Sequence, residues 1–157
     1  MNFKRIFYVS LTVKNRCLCL TDSIVLKKRA QFLRVAAKKS AIVTPYFIVQ
    51  YMWDEKSCTH HASSWLMGFT ASRKVGKAVQ RNFAKRRLRE IVRLYQKNQS
   101  MDALLPYDGQ PPVLHTVLIA RQRLLSGTFS EIQQIFHKSM CRIIADHTKN
   151  DHAEETA

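Results

Sequence analysis

Acidic side chains are scarce in this sequence, where 11 aspartates and glutamates stand against 26 lysines and arginines and leave a formal net charge of +15. Between Ser23 and Ser100 the acids are Asp54, Glu55 and Glu90 alone. Metal-dependent phosphodiester cleavage by a polypeptide needs several convergent carboxylates or histidines, so this stretch is a poor place for a protein-borne hydrolytic centre. Long apolar runs are missing as well: none approaches the roughly 18 residues that cross a bilayer, so a soluble chain without a membrane partner is expected. The short apolar run from Ile6 to Val13 is cut by Lys14, Asn15 and Arg16, with no convincing small-x-small cleavage site after it. It reads as an N-terminal extension of a cytoplasmic protein rather than a secretory signal.

Cysteine is sparse and unevenly placed, at Cys17, Cys19, Cys58 and Cys141, which argues for reduced thiols and against a disulfide framework. Cys58, His60 and His61 lack the second ligand pair that a structural zinc site requires, so they read as part of a polar surface loop. Glycine and proline are also few, four of each, and three of the prolines fall in one stretch, "PYDGQPP", which marks a loop. There is no internal repeat.

What the sequence does have is apolar residues, 46% of 157, enough for one packed core. The expected division is an extension over 1–22, a domain over 23–145 and a polar, frayed tail over 146–157. Positive charge on this scale costs self-repulsion in the compact state and points to a polyanionic partner. Leu26, Ala30, Leu33 and Ala37 recur at helical spacing after Asp22 or Ser23, either of which can cap the helix, and Thr44-Pro45 then breaks it. "YFIVQYMW" and "WLMGFTAS" are strand-like, and "VLHTVLIA" reads as a buried strand. "SGTFSEIQQIFHKSMCRII" supplies a last helix, capped by Thr128 or Ser130, with Ile132, Ile135, Phe136, Met140 and Ile143 toward a core.

Between them, Ala78 to Lys97 predicts a helix whose Ala84, Leu88, Ile91, Val92 and Tyr95 share one arc. Arg81, Lys85, Arg89, Arg93 and Lys97 follow one another at intervals of four, with Arg86 on the adjoining arc. Like charges at that spacing repel unless phosphates neutralise them. A merely solvated charged face normally intersperses acids to form ion pairs, and here only Glu90 is available. Two other readings of the charge are a non-enzymatic RNA- or DNA-binding module that lays this helix in a groove and a nuclease built on His60, His61, His115 or His137. The histidines are expected in separate elements with no carboxylate partner nearby.

"GFTASRKVGKAVQRNFAKRRLRE", residues 68–90, resembles the signature of the protein subunit of bacterial ribonuclease P. "LKKRAQFLRV" is similar to that family's first helix and "VLIARQRLLSGTFSEI" to its last strand and helix, so the resemblance covers about Leu26 to Ile144. It implies an α+β fold of order αβββαβα: a two-layer sandwich with a mixed four-stranded sheet and a left-handed βαβ crossover, like the second domain of ribosomal protein S5. It further implies an accessory polypeptide without catalytic residues, in a holoenzyme whose RNA subunit removes the 5′ leader from precursor tRNA. Partners are then that RNA and precursor tRNA, with no required protein partner. Magnesium enters through the RNA, not through a site on the polypeptide, with Asn82 at most an outer partner.

Carried over to matching positions, Lys74, Lys77, Arg81, Asn82, Lys85, Arg86, Arg87 and Arg89 form the surface that docks on the catalytic RNA. Phe32, Ile48, Ser72 and Arg73 belong to the cleft that holds the single-stranded leader, although core packing serves Phe32 equally well. Two positions depart from the family pattern. Phe83 stands where an arginine usually follows the Arg-Asn pair, free to stack on a nucleotide or pack on a loop, and Gln50 stands where the first strand often carries an aromatic.

Overall fold

The structure, a computed structural model, describes residues 24–54, 65–98 and 113–154, with Ile24 and residues 148–154 given by their backbone alone. The extension over 1–22, the loop bearing Cys58, His60 and His61, and the "PYDGQPP" stretch lie outside the described residues. The chain forms β1 (Ile24–Val25), α1 (Arg29–Ala37), β2 (Ala41–Val43), β3 (Phe47–Asp54), β4 (Trp65–Ala71), α2 (Ala78–Asn98), β5 (Val113–Ala120) and α3 (Phe129–Glu154). Short 3₁₀ turns at Arg73–Val75 and Gln122–Leu125 lead out of β4 and β5.

The strands make one mixed sheet in the order β1-β4-β5-β3-β2. β3 runs antiparallel to β2 and β5, while β4 runs parallel to β5 and β1. β4, α2 and β5 thus form a βαβ unit whose strands are neighbours. This is the expected α+β fold with its four mixed strands, to which the two-residue β1 adds an edge.

The central position of β5 explains its nearly continuous apolar sequence, since a strand covered on both faces has no solvent side to alternate toward. On one face α2 and α3 pack over Phe47, Val49, Trp65, Met67, Leu114 and Leu118. The arc Ala84, Leu88, Ile91, Val92 and Tyr95 is the buried face of α2, as its period predicts. Ile132, Phe136, Met140 and Ile143 of α3 are buried beside it, Ile135 is half-buried, and Phe47 and Phe136 meet edge to face at 6.1 Å. Burial pushes the Tyr95 hydroxyl up to about 12, with Cys141 adding to the shift. On the other face α1 covers only part of the sheet, through a smaller cluster of Leu26, Val35, Met52, Leu66, Val113 and Val117. It makes a partial third layer over the two main ones.

Four local expectations are corrected. Helix α1 starts at Arg29, not near Ser23, because Ile24 and Val25 pair with Leu66 and Met67 of β4 and Leu26 donates its N–H to the Met67 carbonyl. Its start is held not by Asp22 or Ser23 but by the Gln31 amide oxygen, which accepts from the Lys27 and Lys28 N–H groups at 3.1 and 3.0 Å. With Leu26 outside the helix the supposed apolar stripe loses its anchor, so Ala30, Leu33 and Ala37 face solvent while Val35 and Phe32 turn inward. Thr44-Pro45 ends no helix. It forms the turn between β2 and β3, where the Thr44 hydroxyl accepts from the Phe47 N–H.

The fourth concerns the tail. Instead of fraying after residue 145, α3 continues to Glu154, since no proline or glycine interrupts "DHTKNDHAE" and His147 is buried with its ring 4.0 Å from that of Trp53.

Candidate nucleic-acid interface

The basic helix is set up by the turn before it. Val75 is buried and anchors the 3₁₀ turn, and Gly76 follows at φ 137°, a conformation that an L side chain rarely adopts. The Lys77 N–H donates to the Gln80 side-chain oxygen at 2.8 Å, which satisfies one of the open donors at the start of α2. Lys74 and Lys77 flank Gly76 and are both exposed.

Beyond the turn, Asn82, Arg86 and Arg89 are exposed and Arg81, Lys85 and Arg87 are half-buried. Among the described residues none of these basic side chains makes an ion pair with an acid. Glu90, the acid of α2, is taken by Arg93 through two hydrogen bonds of 3.0 and 2.6 Å, and that contact holds its carboxyl below the usual range. Among the described residues, then, the charge of these side chains is uncompensated. Arg89 lies over the ring of Phe69, 5.7 Å from its centroid, which steadies the guanidinium without neutralising it.

Arg87 is different. Its Nη1 donates to the carbonyls of Leu124 and Leu125 at 2.6 and 3.2 Å, and its Nη2 to the Gly127 carbonyl at 2.7 Å. These are carbonyls of the turn after β5, so Arg87 clamps α2 to the segment that leads into α3. Arg81 is partly engaged in the same manner, with Nη1 2.8 Å from the Gly76 carbonyl. Of the eight sequence-identified residues, Lys74, Lys77, Asn82, Lys85, Arg86 and Arg89 have no hydrogen bond from their side chains to another described residue.

The second group of site residues lies on the opposite face of the sheet. Register places Ile48 beside Ile119 and Ile119 beside Thr70, and in the next row Gln50 beside Val117 and Val117 beside Gly68. Strand alternation points both rows to the face that α1 covers only in part. Phe32 packs against the sheet here: a methyl group on Gly68 would come within 2.6 Å of its ring edge, so glycine is what lets the ring approach. Phe32 is partly buried and packs on the smaller cluster, as its core-packing role predicts. Ser72 and Arg73, exposed, follow the end of β4. The candidate leader trough is therefore a strip of one sheet face, with Phe32 against Gly68 and with Ile48 and Ile119 side by side on neighbouring strands. Ile119 and Thr70 escaped sequence reasoning, because cross-strand register, not local pattern, brings them beside Ile48.

Of the histidines, His60 and His61 lie outside the described residues, and His115 and His137 do not come together. His115 does have a carboxylate neighbour, Asp54 at 3.8 Å, contrary to expectation, but it is buried at 5% exposure and Asp54 also pairs with Arg34 at 3.0 Å. Burial pushes the His115 imidazole down, against the pull of Asp54, so its neutral form is favoured. His137 stands exposed on α3, beyond the sheet from His115, with Cys141 3.7 Å away. Among the described residues no three His, Cys, Asp or Glu side chains converge as metal ligands, and no helix is long and apolar enough to cross a membrane.

Residues 20–144 match the family model described as Ribonuclease P. The chain is 34% identical over 118 residues to the ribonuclease P protein component of a Nitratiruptor species, a match that covers 75% of this chain and 90% of the relative. It is 37% identical over 107 residues to that of Gluconacetobacter diazotrophicus, covering 68% and 79% respectively. Among solved structures, the ribonuclease P protein of Staphylococcus aureus superposes with a TM-score of 0.54 at 25% identity, covering 74% of this chain and 92% of the other. That of Thermotoga maritima shares the fold, with a TM-score of 0.55 at 23% identity, covering 74% and 94%.

Proposed function

Since this chain belongs to the ribonuclease P protein family, we propose that it is the RNA-binding subunit of a ribonuclease P in which a large RNA performs the hydrolysis. The polypeptide assists removal of the 5′ leader from precursor tRNA in the bacterial cytoplasm. The observation that carries this reading is the α2 ridge, where Lys74, Lys77, Lys85, Arg86 and Arg89 pair with no acid among the described residues. A folded RNA backbone supplies the missing charge, and each phosphate bound releases condensed counterions.

The two faces divide the work. Lys74, Lys77, Arg81, Asn82, Lys85, Arg86 and Arg89 dock on the RNA subunit, while Arg87 holds the ridge in shape from within. The trough of Phe32, Ile48, Ile119 and Gln50, with Ser72 and Arg73 at its end, takes the unpaired leader, since an aromatic ring and apolar floor hold extruded bases with little sequence preference. Arg73 and Lys74 are adjacent in the turn between β4 and α2, so one short segment links ridge and trough. Binding both ligands at once aligns the substrate on the ribozyme.

Magnesium belongs to the RNA in this scheme. The chain's own share is charge compensation, which lets RNA phosphates approach one another with fewer free ions. No second protein is required. Reconstitution tests the reading: the purified chain, added to the ribonuclease P RNA of its source organism at low magnesium, accelerates leader removal from precursor tRNA. Absence of acceleration overturns it, and leader removal by the polypeptide alone would assign the chemistry to protein instead.

A further inference from the structure

Two large apolar side chains interrupt the basic surface of α2: Val79 is 79% exposed and Phe83, one turn later on the same face, is 49% exposed. Neither belongs to the core, and stability gives no reason to expose them. We propose that Phe83 is a stacking platform for one unpaired nucleobase of the RNA that docks on α2, with Val79 covering the edge of that base.

The geometry under the ring supports a platform. The Arg87 guanidinium lies over Phe83, 5.7 Å from the ring centroid, and is itself fixed by the carbonyls of Leu124, Leu125 and Gly127. A guanidinium that is immobilised this way backs the ring, favours one orientation of it and draws electron density toward the protein side. The residue remains 49% exposed to solvent even so. An exposed aromatic residue backed by a fixed guanidinium matches the requirement for base stacking, in which little side-chain freedom is lost on binding.

Charge complementarity selects the occupant. Lys77, Arg81 and Arg86 lie within a turn of Val79 and Phe83, so any partner on this patch meets several positive charges. An RNA that presents a base between phosphates fits, whereas a second copy of the chain would set like charges against each other. The ridge thus combines salt-sensitive phosphate contacts with one contact that salt barely affects.

This inference rests on the ridge being the RNA-docking surface, and the test separates the two. The full chain and its Phe83→Ala, Phe83→Trp, Phe83→Arg and Arg86→Ala variants are titrated with the source organism's ribonuclease P RNA at several salt concentrations, and base protection is mapped by chemical footprinting. Phe83→Ala is expected to bind roughly tenfold more weakly, with the salt slope unchanged and protection of one base lost. Phe83→Trp keeps both affinity and protection. Phe83→Arg loses the protection and steepens the slope by about 0.9, the worth of one added phosphate contact.

If wild type binds with a steep slope and Arg86→Ala weakens it, but Phe83→Ala binds like wild type, the stacking inference is overturned and the docking surface stands. Failure of the wild-type chain to bind the RNA overturns both. If Phe83→Ala instead converts a dimer to a monomer in sedimentation without loss of RNA affinity, the patch is a self-association surface and the inference fails.

Discussion

Arg87 donates to the backbone of Leu124 across 2.6 Å, a contact that ties an arginine of the basic helix α2 to the turn after β5. With Leu125 and Gly127 it completes three hydrogen bonds to carbonyls of the segment that leads into α3. Charged side chains in a basic cluster are easily counted together, yet this one turns inward while its neighbour Arg86 turns outward.

That contrast sets the first expectation. Arg87→Ala lowers the midpoint of thermal unfolding by about 5 to 10 °C, since it strands carbonyls that a charged donor had satisfied. Arg87→Lys recovers little of this, because one ammonium cannot reproduce the fork that reaches three carbonyls. Arg86→Ala leaves the midpoint within about 2 °C and weakens RNA binding instead. Parallel melting curves and RNA titrations check the crossover.

A second expectation concerns the trough. Gly68→Ala drives a methyl group against the Phe32 ring, whose nearest atom lies 2.6 Å from the position that the new carbon takes. Overpacking of this kind costs about 1–3 kcal/mol of stability. With the ring displaced from its seat on Gly68, affinity of the reconstituted holoenzyme for precursor tRNA is expected to fall while affinity for mature tRNA, which lacks the leader, is unchanged. Binding measured with the two RNAs in parallel decides it.

How much of this was legible in the sequence differs from element to element. The buried arc of α2 was readable because five apolar residues keep a helical period over the whole length, and nothing non-local was needed. Helix α1 was misplaced because Leu26 matches a helical stripe by spacing but sits outside the helix, behind the β1 pairing. β2 is too short for any pattern, and only its pairing with β3 makes it a strand. In the site, the exposed ridge followed from charge and spacing. The inward role of Arg87 did not, because its partners lie 37 to 40 positions away. Ile119 and Thr70 were likewise invisible beside Ile48 until register placed them.

The third expectation is a pH dependence of stability. Burial under α1 lowers the His115 pKa, outweighing the nearby Asp54, with Arg34 adding to the downward shift. Above its unfolded-state value of about 6.5 the imidazole is neutral in both states and the contribution to stability is complete. As pH falls below that value the unfolded chain takes up the proton first, so stability is lost on acidification. Thermal midpoints of wild type and His115→Gln, followed from pH 8 to pH 5, should diverge at neutral pH and draw together as the pH falls. Parallel curves across the range contradict this assignment.

The central claim is that RNA phosphates provide the counter-charge of the α2 ridge, and its most direct measurement is the salt dependence of RNA affinity. For six to ten phosphate contacts, the affinity of the wild-type chain for ribonuclease P RNA falls roughly 10³- to 10⁵-fold between 50 and 200 mM salt. Replacing Lys77, Arg86 and Arg89 together by glutamine reduces the slope of log affinity against log salt by about 2.7, which is 0.9 for each contact removed. An affinity that barely changes with salt, or a triple variant with the wild-type slope, contradicts the account.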